Sequence, residues 1–163
     1  MSQQPPPPHP SQPPYAQGPG SWSDVPPPGT KGVYTGPITG APVSDGDAKL
    51  WAVLAQLSPI VASAVGLPFL GPLIIYLVYK DRNRFIRFHA AEALQGTILA
   101  TILTFAIAAV TFVLAIVTFG LGMLLIFLAF VPGLILLIFE IIGAVKANER
   151  QWWPYPVNLR LFT

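Results

Sequence analysis

ALQGTILATILTFAIAAVTFVLAIVTFGLGMLLIFLAFVPGLILLIF, residues Ala93 to Phe139, runs for 47 positions without a charge or a histidine. A membrane-spanning helix needs about 20 consecutive apolar residues. The run is too long for one span and long enough for two, and Gly120 and Gly122 near its middle divide it. The spacing predicts a helix ending near Thr118, an uncharged outer turn from Phe119 to Gly122, and a further helix beginning near Met123. Pro132-Gly133 is expected to bend that last helix.

Upstream, Leu50 to Tyr79 is a second uncharged stretch of 30 residues. Pro59, Gly66-Leu67-Pro68 and Gly71-Pro72 interrupt it, and proline both removes a backbone donor and disfavours helix at the residue before it. Two readings stand: one kinked span from about Leu57 to Tyr79, or a short hairpin turning between Gly66 and Pro72. Cations decide between them. Lys80, Arg82, Arg84 and Arg87 precede the long run, and Lys146, Arg150 and Arg160 follow it, so the positive-inside rule places both flanks in the cytoplasm. The hairpin puts Lys49 on that side too and is preferred. It places both chain termini in the cytoplasm of a multi-pass protein of the inner cell membrane. Trp51, Tyr76, Tyr79, Trp152, Trp153 and Tyr155 then form one interfacial aromatic belt.

The whole chain has 163 residues, 53% hydrophobic and 10% charged, against about 25% charged in an ordinary soluble domain. That balance argues against a soluble monomer. No cysteine is present, which excludes disulfides, thiolate metal sites and cysteine nucleophiles. A net charge of +2 is too small for nucleic-acid binding. Of the 19 prolines, 13 lie in the first 42 positions. Residues 1–47 are accordingly read as a disordered cytoplasmic tail with polyproline character, a solvated spacer rather than a secretory signal. The PxxP spacing from Pro10 to Pro13 arises readily in so proline-rich a segment. Residues 48–150 are expected to form the membrane bundle, and 151–163 an aromatic interfacial segment. Lys80 to His89, capped by Asp81 or Asn83, is read as an amphipathic approach to the next span. There Phe85 and Phe88 share a face, and within the interfacial basic cluster Lys80, Arg82, Arg84 and Arg87 the last two are able to reach phosphate headgroups.

Within the spans, Ala93, Thr97, Ala100, Thr104, Ala108, Thr111, Ala115 and Thr118 recur at helical spacing. Lipid offers no hydrophobic force to join helices, so close approach at small residues has to do it. The stripe is read as a packing face, with a pore lining as the alternative, and Leu94, Ile98, Ile102, Phe105 and Val113 as lipid-facing. Ala129, Gly133, Glu140, Ala144 and Ala147 give the following helix a related face. Glu140 is the only acidic residue inside either long apolar segment, and an ionisable group there faces the bundle or a water-filled cavity. Antiparallel pairing sets it level with Thr101 or Ile102, near Thr97, Thr104, Gln56 or Ser58 and well above His89 and Glu92. A structural carboxyl is the favoured role and an ion or proton pathway the alternative. His89 and Glu92, three apart, are read as an interfacial contact rather than a metal pair. No HExxH, phosphate loop or serine-histidine constellation is present, so neither an enzyme nor a cofactor is expected.

Several strings stand in order along the chain: Trp51-Ala52-Val53-Leu54-Ala55-Gln56-Leu57-Ser58, Gly66-Leu67-Pro68-Phe69-Leu70-Gly71-Pro72-Leu73-Ile74-Ile75-Tyr76, Arg87-Phe88-His89-Ala90-Ala91-Glu92-Ala93-Leu94, Ala144-Val145-Lys146-Ala147-Asn148 and Trp153-Pro154-Tyr155-Pro156. From about Ala48 to Phe162 this resembles a bacterial membrane family of unknown function related to the twenty-kilodalton subunit of the chloroplast inner-envelope protein-import translocon. The resemblance implies a bundle of about four helices in the inner membrane. Where that family often carries a glycine after Lys-Ala-Asn, this chain has Glu149-Arg150-Gln151. The expectation is an all-α polytopic bundle of about four helices in two hairpins, the first short and broken by Pro and Gly. It acts as a non-enzymatic component in contact with the lipid bilayer and packs with itself or with other membrane proteins. The alternative is a small channel or protein-translocation subunit.

Overall fold

The computed structural model describes residues 22–158 and 160–161. Among them there is no strand. The helices are α1 (Asp45–Ser63), α2 (Leu70–Tyr79), α3 (Arg84–Val117) and α4 (Val131–Asn148), with 3-10 helices at Trp22–Asp24 and Leu121–Phe130.

Local chemistry sets most of the boundaries. Ser44 caps α1 by accepting from the Asp47 amide at 3.1 Å, and Asp45 and Asp47 place negative charge in its first turn. Pro59 was expected to interrupt this segment, yet α1 continues through it. The physical reason is at Ala55, whose carbonyl loses its normal partner because Pro59 has no N–H; the Ser58 hydroxyl donates to that oxygen at 3.0 Å instead. The chain turns between Ser63 and Leu70, so the first apolar segment is a hairpin of unequal arms, 19 and 10 residues long.

Asn83 caps α3, accepting from the Ile86 amide at 3.0 Å. The helix then runs for 34 residues, roughly 51 Å at 1.5 Å per residue. It ends where Gly120 adopts φ +99°, a left-handed conformation that a side chain disfavours, and Thr118 Oγ1 accepts from the Gly122 amide at 2.7 Å. The return leg starts as ten residues of 3-10 helix and becomes α-helical at Val131. The anticipated irregularity at Pro132-Gly133 is this change of helix type, since Pro132 carries no amide to extend the preceding ladder.

The two halves of α3 live in different surroundings. Every residue from Arg84 to Thr97 is buried, because α1, α2 and α4 all pack on α3. Ala48, Ala55, Ile75, Tyr79, Ile86 and Ala90 form one core cluster there, and Ala52, Phe85 and Ala147 another. Leu94, expected to face lipid, is inside this head and buried. Beyond Thr101, Ile102, Phe105, Phe112 and Val113 are exposed, whereas the stripe positions Thr104, Ala108, Thr111 and Ala115 are buried or half-buried. The return leg packs against this half of α3. The stripe is therefore the inward side of the hairpin, and the outer side carries mostly large apolar side chains, with Ala106 and Ala109 exposed among them. Helices Arg84–Val117 and Leu121–Asn148 are each long and apolar enough to cross a membrane.

Two expectations change at the head. Residues 22–44, expected within a solvated tail, lie across it. Trp22 meets Phe85 edge-on at 4.8 Å, Asn83 Nδ2 donates to Ser23 Oγ at 2.9 Å, and the Gly40 amide donates to the Asp81 carbonyl at 2.7 Å. The segment has few apolar residues, but Trp22 is a large anchor, and Ser23, Asp24 and the backbone supply hydrogen bonds. Residues 1–21, including the proline runs before Tyr15, lie outside the described residues. The basic cluster also divides. Lys80 and Arg82 remain at the surface, whereas Arg84 and Arg87 are buried in the head. Arg84 Nη2 donates to the Gly36 carbonyl at 2.7 Å, and the Arg87 guanidinium sits 3.5 Å from the Tyr34 ring centroid.

Asn83 joins cap and strap, so Asn83→Ala should lower stability by about 1–2 kcal/mol and speed tryptic cleavage after Lys31. Limited proteolysis with a thermal melt checks this; unchanged cleavage would show that the strap does not depend on Asn83.

Candidate functional site

The centre of the head is polar. Gln56 projects from α1 and is fully buried. Its Nε2 donates to His89 Nδ1 at 3.1 Å and to the His89 carbonyl at 3.3 Å, while its Oε1 accepts from the Tyr155 hydroxyl. With Nδ1 accepting, the His89 proton resides on Nε2, which faces the Gln151 carbonyl at 3.1 Å. Both ring nitrogens are satisfied by a neutral imidazole.

One helical turn along α3, Glu92 Oε2 accepts from the Tyr155 amide at 2.9 Å and from Asn158 Nδ2. His89 and Glu92 thus do not pair with each other, contrary to the expected contact; each takes partners from the C-terminal segment. Residues 151–158 return into the bundle because Arg150 adopts φ +61° and the Gln151 amide bonds back to the Lys146 carbonyl at 2.8 Å. This is a left-handed helix termination of the kind glycine usually supplies, made here by arginine.

Small residues leave room for the two side chains at the centre. A Cβ on Gly143 would stand 2.5 Å from Gln56 Oε1, and one on Gly96 would stand 2.7 Å from Tyr155 Cε2. Tyr155 is 1% exposed and packs on Phe139 and Trp153. It is therefore not part of an interfacial belt, and Tyr79 is buried against Trp51 as well. Burial pushes the Tyr155 phenol well above its ordinary value, with neighbouring Glu140 and Glu92 acting in the same direction.

Glu140 lies apart from this network. It is 3% exposed, and its Oε1 has no hydrogen-bond partner among the described residues. It lines a cleft of about 720 Å³ with Thr97, Thr101, Thr104 and the α1–α2 turn. Of the stripe, Thr97, Ala100 and Thr104 border this cleft, Thr111 lies farther up the hairpin beside Leu125 and Leu128, and Ala93 is within the head. Gln56 does not reach Glu140's role; it belongs to the His89 network. Among the described residues no group of three or more His, Cys, Asp or Glu could hold a metal ion.

A membrane bundle with an ordered C-terminal return is the body that a known family model covers: the magnetosome magnetite crystal formation protein family, MamF/MmsF, matches residues 47–162. The chain belongs to this family. The quoted strings from Trp51 to Pro156 all fall inside the matched range, so they mark the MamF/MmsF family and not kinship with the chloroplast translocon subunit. No curated protein and no solved structure matches the chain. Within the matched range, the network joins Gln56, His89, Glu92, Tyr155 and Asn158. From sequence, Gln56 is expected only as a neighbour of Glu140 and Tyr155 only at the interface. The available signals were a glutamine within an uncharged run and a tyrosine between Pro154 and Pro156.

Tyr155→Phe strands the Gln56 oxygen and should cost about 1–3 kcal/mol of stability. The unfolded phenol titrates near pH ~10 and the folded one higher, so wild-type stability is fully present below that pH and declines above it. Tyr155→Phe should show a shallower decline, as melting curves between neutral and strongly alkaline pH would reveal; parallel declines would contradict the burial of the phenol.

Proposed function

We propose that the chain is a non-enzymatic, multi-pass component of the magnetosome membrane that acts on magnetite crystal formation through the bilayer and its protein neighbours, with both termini cytoplasmic. The family supports the crystal role, and one observation supports the manner of action. Lys80, Arg82, Lys146, Arg150, Asp45, Asp47, Asp81 and Glu149 all belong to the head end, whereas the opposite turn, Thr118 to Met123, carries no charge. Phe119 there is 100% exposed and Leu121 is largely so. Iron-bearing mineral is recognised by carboxylates and other hard oxygen donors. With the termini cytoplasmic, the hairpin tip offers the far side of the membrane apolar side chains and no carboxylate, so direct templating is not its role. Contact with lipid and with other membrane proteins, or with further copies of the chain, is what such a surface provides.

Topology is open to a clean test because the native chain has no cysteine. Lys31→Cys, Leu121→Cys and Asn148→Cys each place a thiol at an exposed position. In intact cells a membrane-impermeant maleimide should label the Leu121 position first when the protein is in the cell membrane, and the other two only after permeabilisation. The reverse pattern would overturn the orientation. In a magnetosome-forming host that carries this gene, deletion should change crystal size or number, and reintroducing the wild-type gene should restore both. Unaltered crystals after deletion would overturn the crystal role.

A further inference from the structure

We propose that the cleft beside Glu140 is a binding site for a membrane amphiphile whose head is an uncharged hydroxyl, donated to the Glu140 carboxyl, with its chain laid along the apolar wall. The cleft is bounded by the end of α1, the α1–α2 turn, the middle of α3 and the α4 segment from Gly133 to Glu140. At about 720 Å³ it falls within the range of small-molecule sites, which are mostly apolar with a few placed polar groups. Leu67, Phe69, Phe105 and Leu136 supply the apolar wall.

Glu140 supplies the polar point. A carboxyl oxygen that is buried and unpartnered is costly in a low-dielectric interior, and Glu140 Oε1 has no partner among the described residues. No donor reaches Oε1 among the described residues. The neighbouring hydroxyls of Thr97 and Ser63 are already committed to the Ala93 and Ile60 carbonyls. An occupant that donates to Glu140 resolves the mismatch.

Donor counting selects the head. An ammonium brings three donors and needs three acceptors, and among the cleft's side chains Glu140 is the only carboxylate. A carboxylate or phosphate head brings acceptors and no donor for Glu140. A hydroxyl brings one donor for the Glu140 carboxyl, and its lone pairs can receive the Thr101 or Thr104 hydroxyl. The site therefore fits a neutral hydroxyl-bearing lipid, for which a long-chain alcohol is a probe.

The test uses full-length protein in an amine-oxide detergent, which carries no hydroxyl of its own. Dodecanol at roughly a hundredfold excess over its dissociation constant should raise the melting temperature by about 5 °C or more, while dodecane and dodecanoate should not. Glu140→Leu removes the acceptor and should abolish the rise. Gly133→Leu fills the cleft from the same helix two turns before Glu140, where an added Cβ meets nothing within 4 Å, and should abolish it with the fold and Glu140 intact. No rise with dodecanol, an equal rise with dodecane, or a rise that persists in Gly133→Leu would each overturn the proposal.

Discussion

The structure depends on the satisfaction of Gln56. An amide side chain buried without partners costs about 1–3 kcal/mol for each unmet group, and Gln56 sits on α1 where the surroundings are otherwise Ala, Leu and Gly. Its oxygen takes the Tyr155 hydroxyl, and its nitrogen takes His89. That demand ties α1 to α3 and to the C-terminal segment at one point. Tyr155 in turn gives its amide to Glu92, so the chain beyond α4 is tied back to α3. Gly143 and Gly96 are small because these side chains pass beside them.

From this head the rest follows by exclusion. The first half of α3 is enclosed on all sides and the second half is covered only by the return leg. Apolar side chains that would be intolerable in water cover the outer face of that hairpin, and lipid is the solvent that accepts them. At the other end, the segment from Trp22 to Ser44 covers Arg84 and Arg87 with backbone carbonyls and the Tyr34 ring. Lys80 and Arg82 stay at the surface of this end. One end is thus charged and ordered, and the other is apolar and bare.

The sequence made the division into four helices legible because the basic stretch from Lys80 to Arg84 and the glycines Gly66, Gly120 and Gly122 fall at or beside the turns. The burial of the small stripe in the upper part of α3 was legible for a similar reason: helical spacing sets Thr104, Ala108, Thr111 and Ala115 on one side, away from Phe105 and Phe112. Long-range pairing was not legible. Gln56 and Tyr155 are 99 positions apart, and nothing local to either indicates the other. Aromatic residues near a membrane end read as a belt until the left-handed turn at Arg150 is known, and that turn occupies a residue type that rarely adopts it. Nor does composition distinguish the 3-10 leg from α-helix, since Leu121 to Phe130 is apolar under either geometry. The continuity of α1 through Pro59 required knowing that the Ser58 hydroxyl takes the vacated carbonyl.

Hydrogen–deuterium exchange at the Tyr155 amide reads the central tie directly, because Pro154 and Pro156 leave it as the one exchangeable backbone site among three residues. In the wild-type protein this amide should exchange slowly, and in Gln56→Ala or Glu92→Ala it should exchange at a rate close to that of an unfolded chain while the amides of α3 beyond Thr101 keep their protection. Rapid exchange at Tyr155 in the wild type would contradict the view that a buried glutamine holds the C-terminal segment in the bundle.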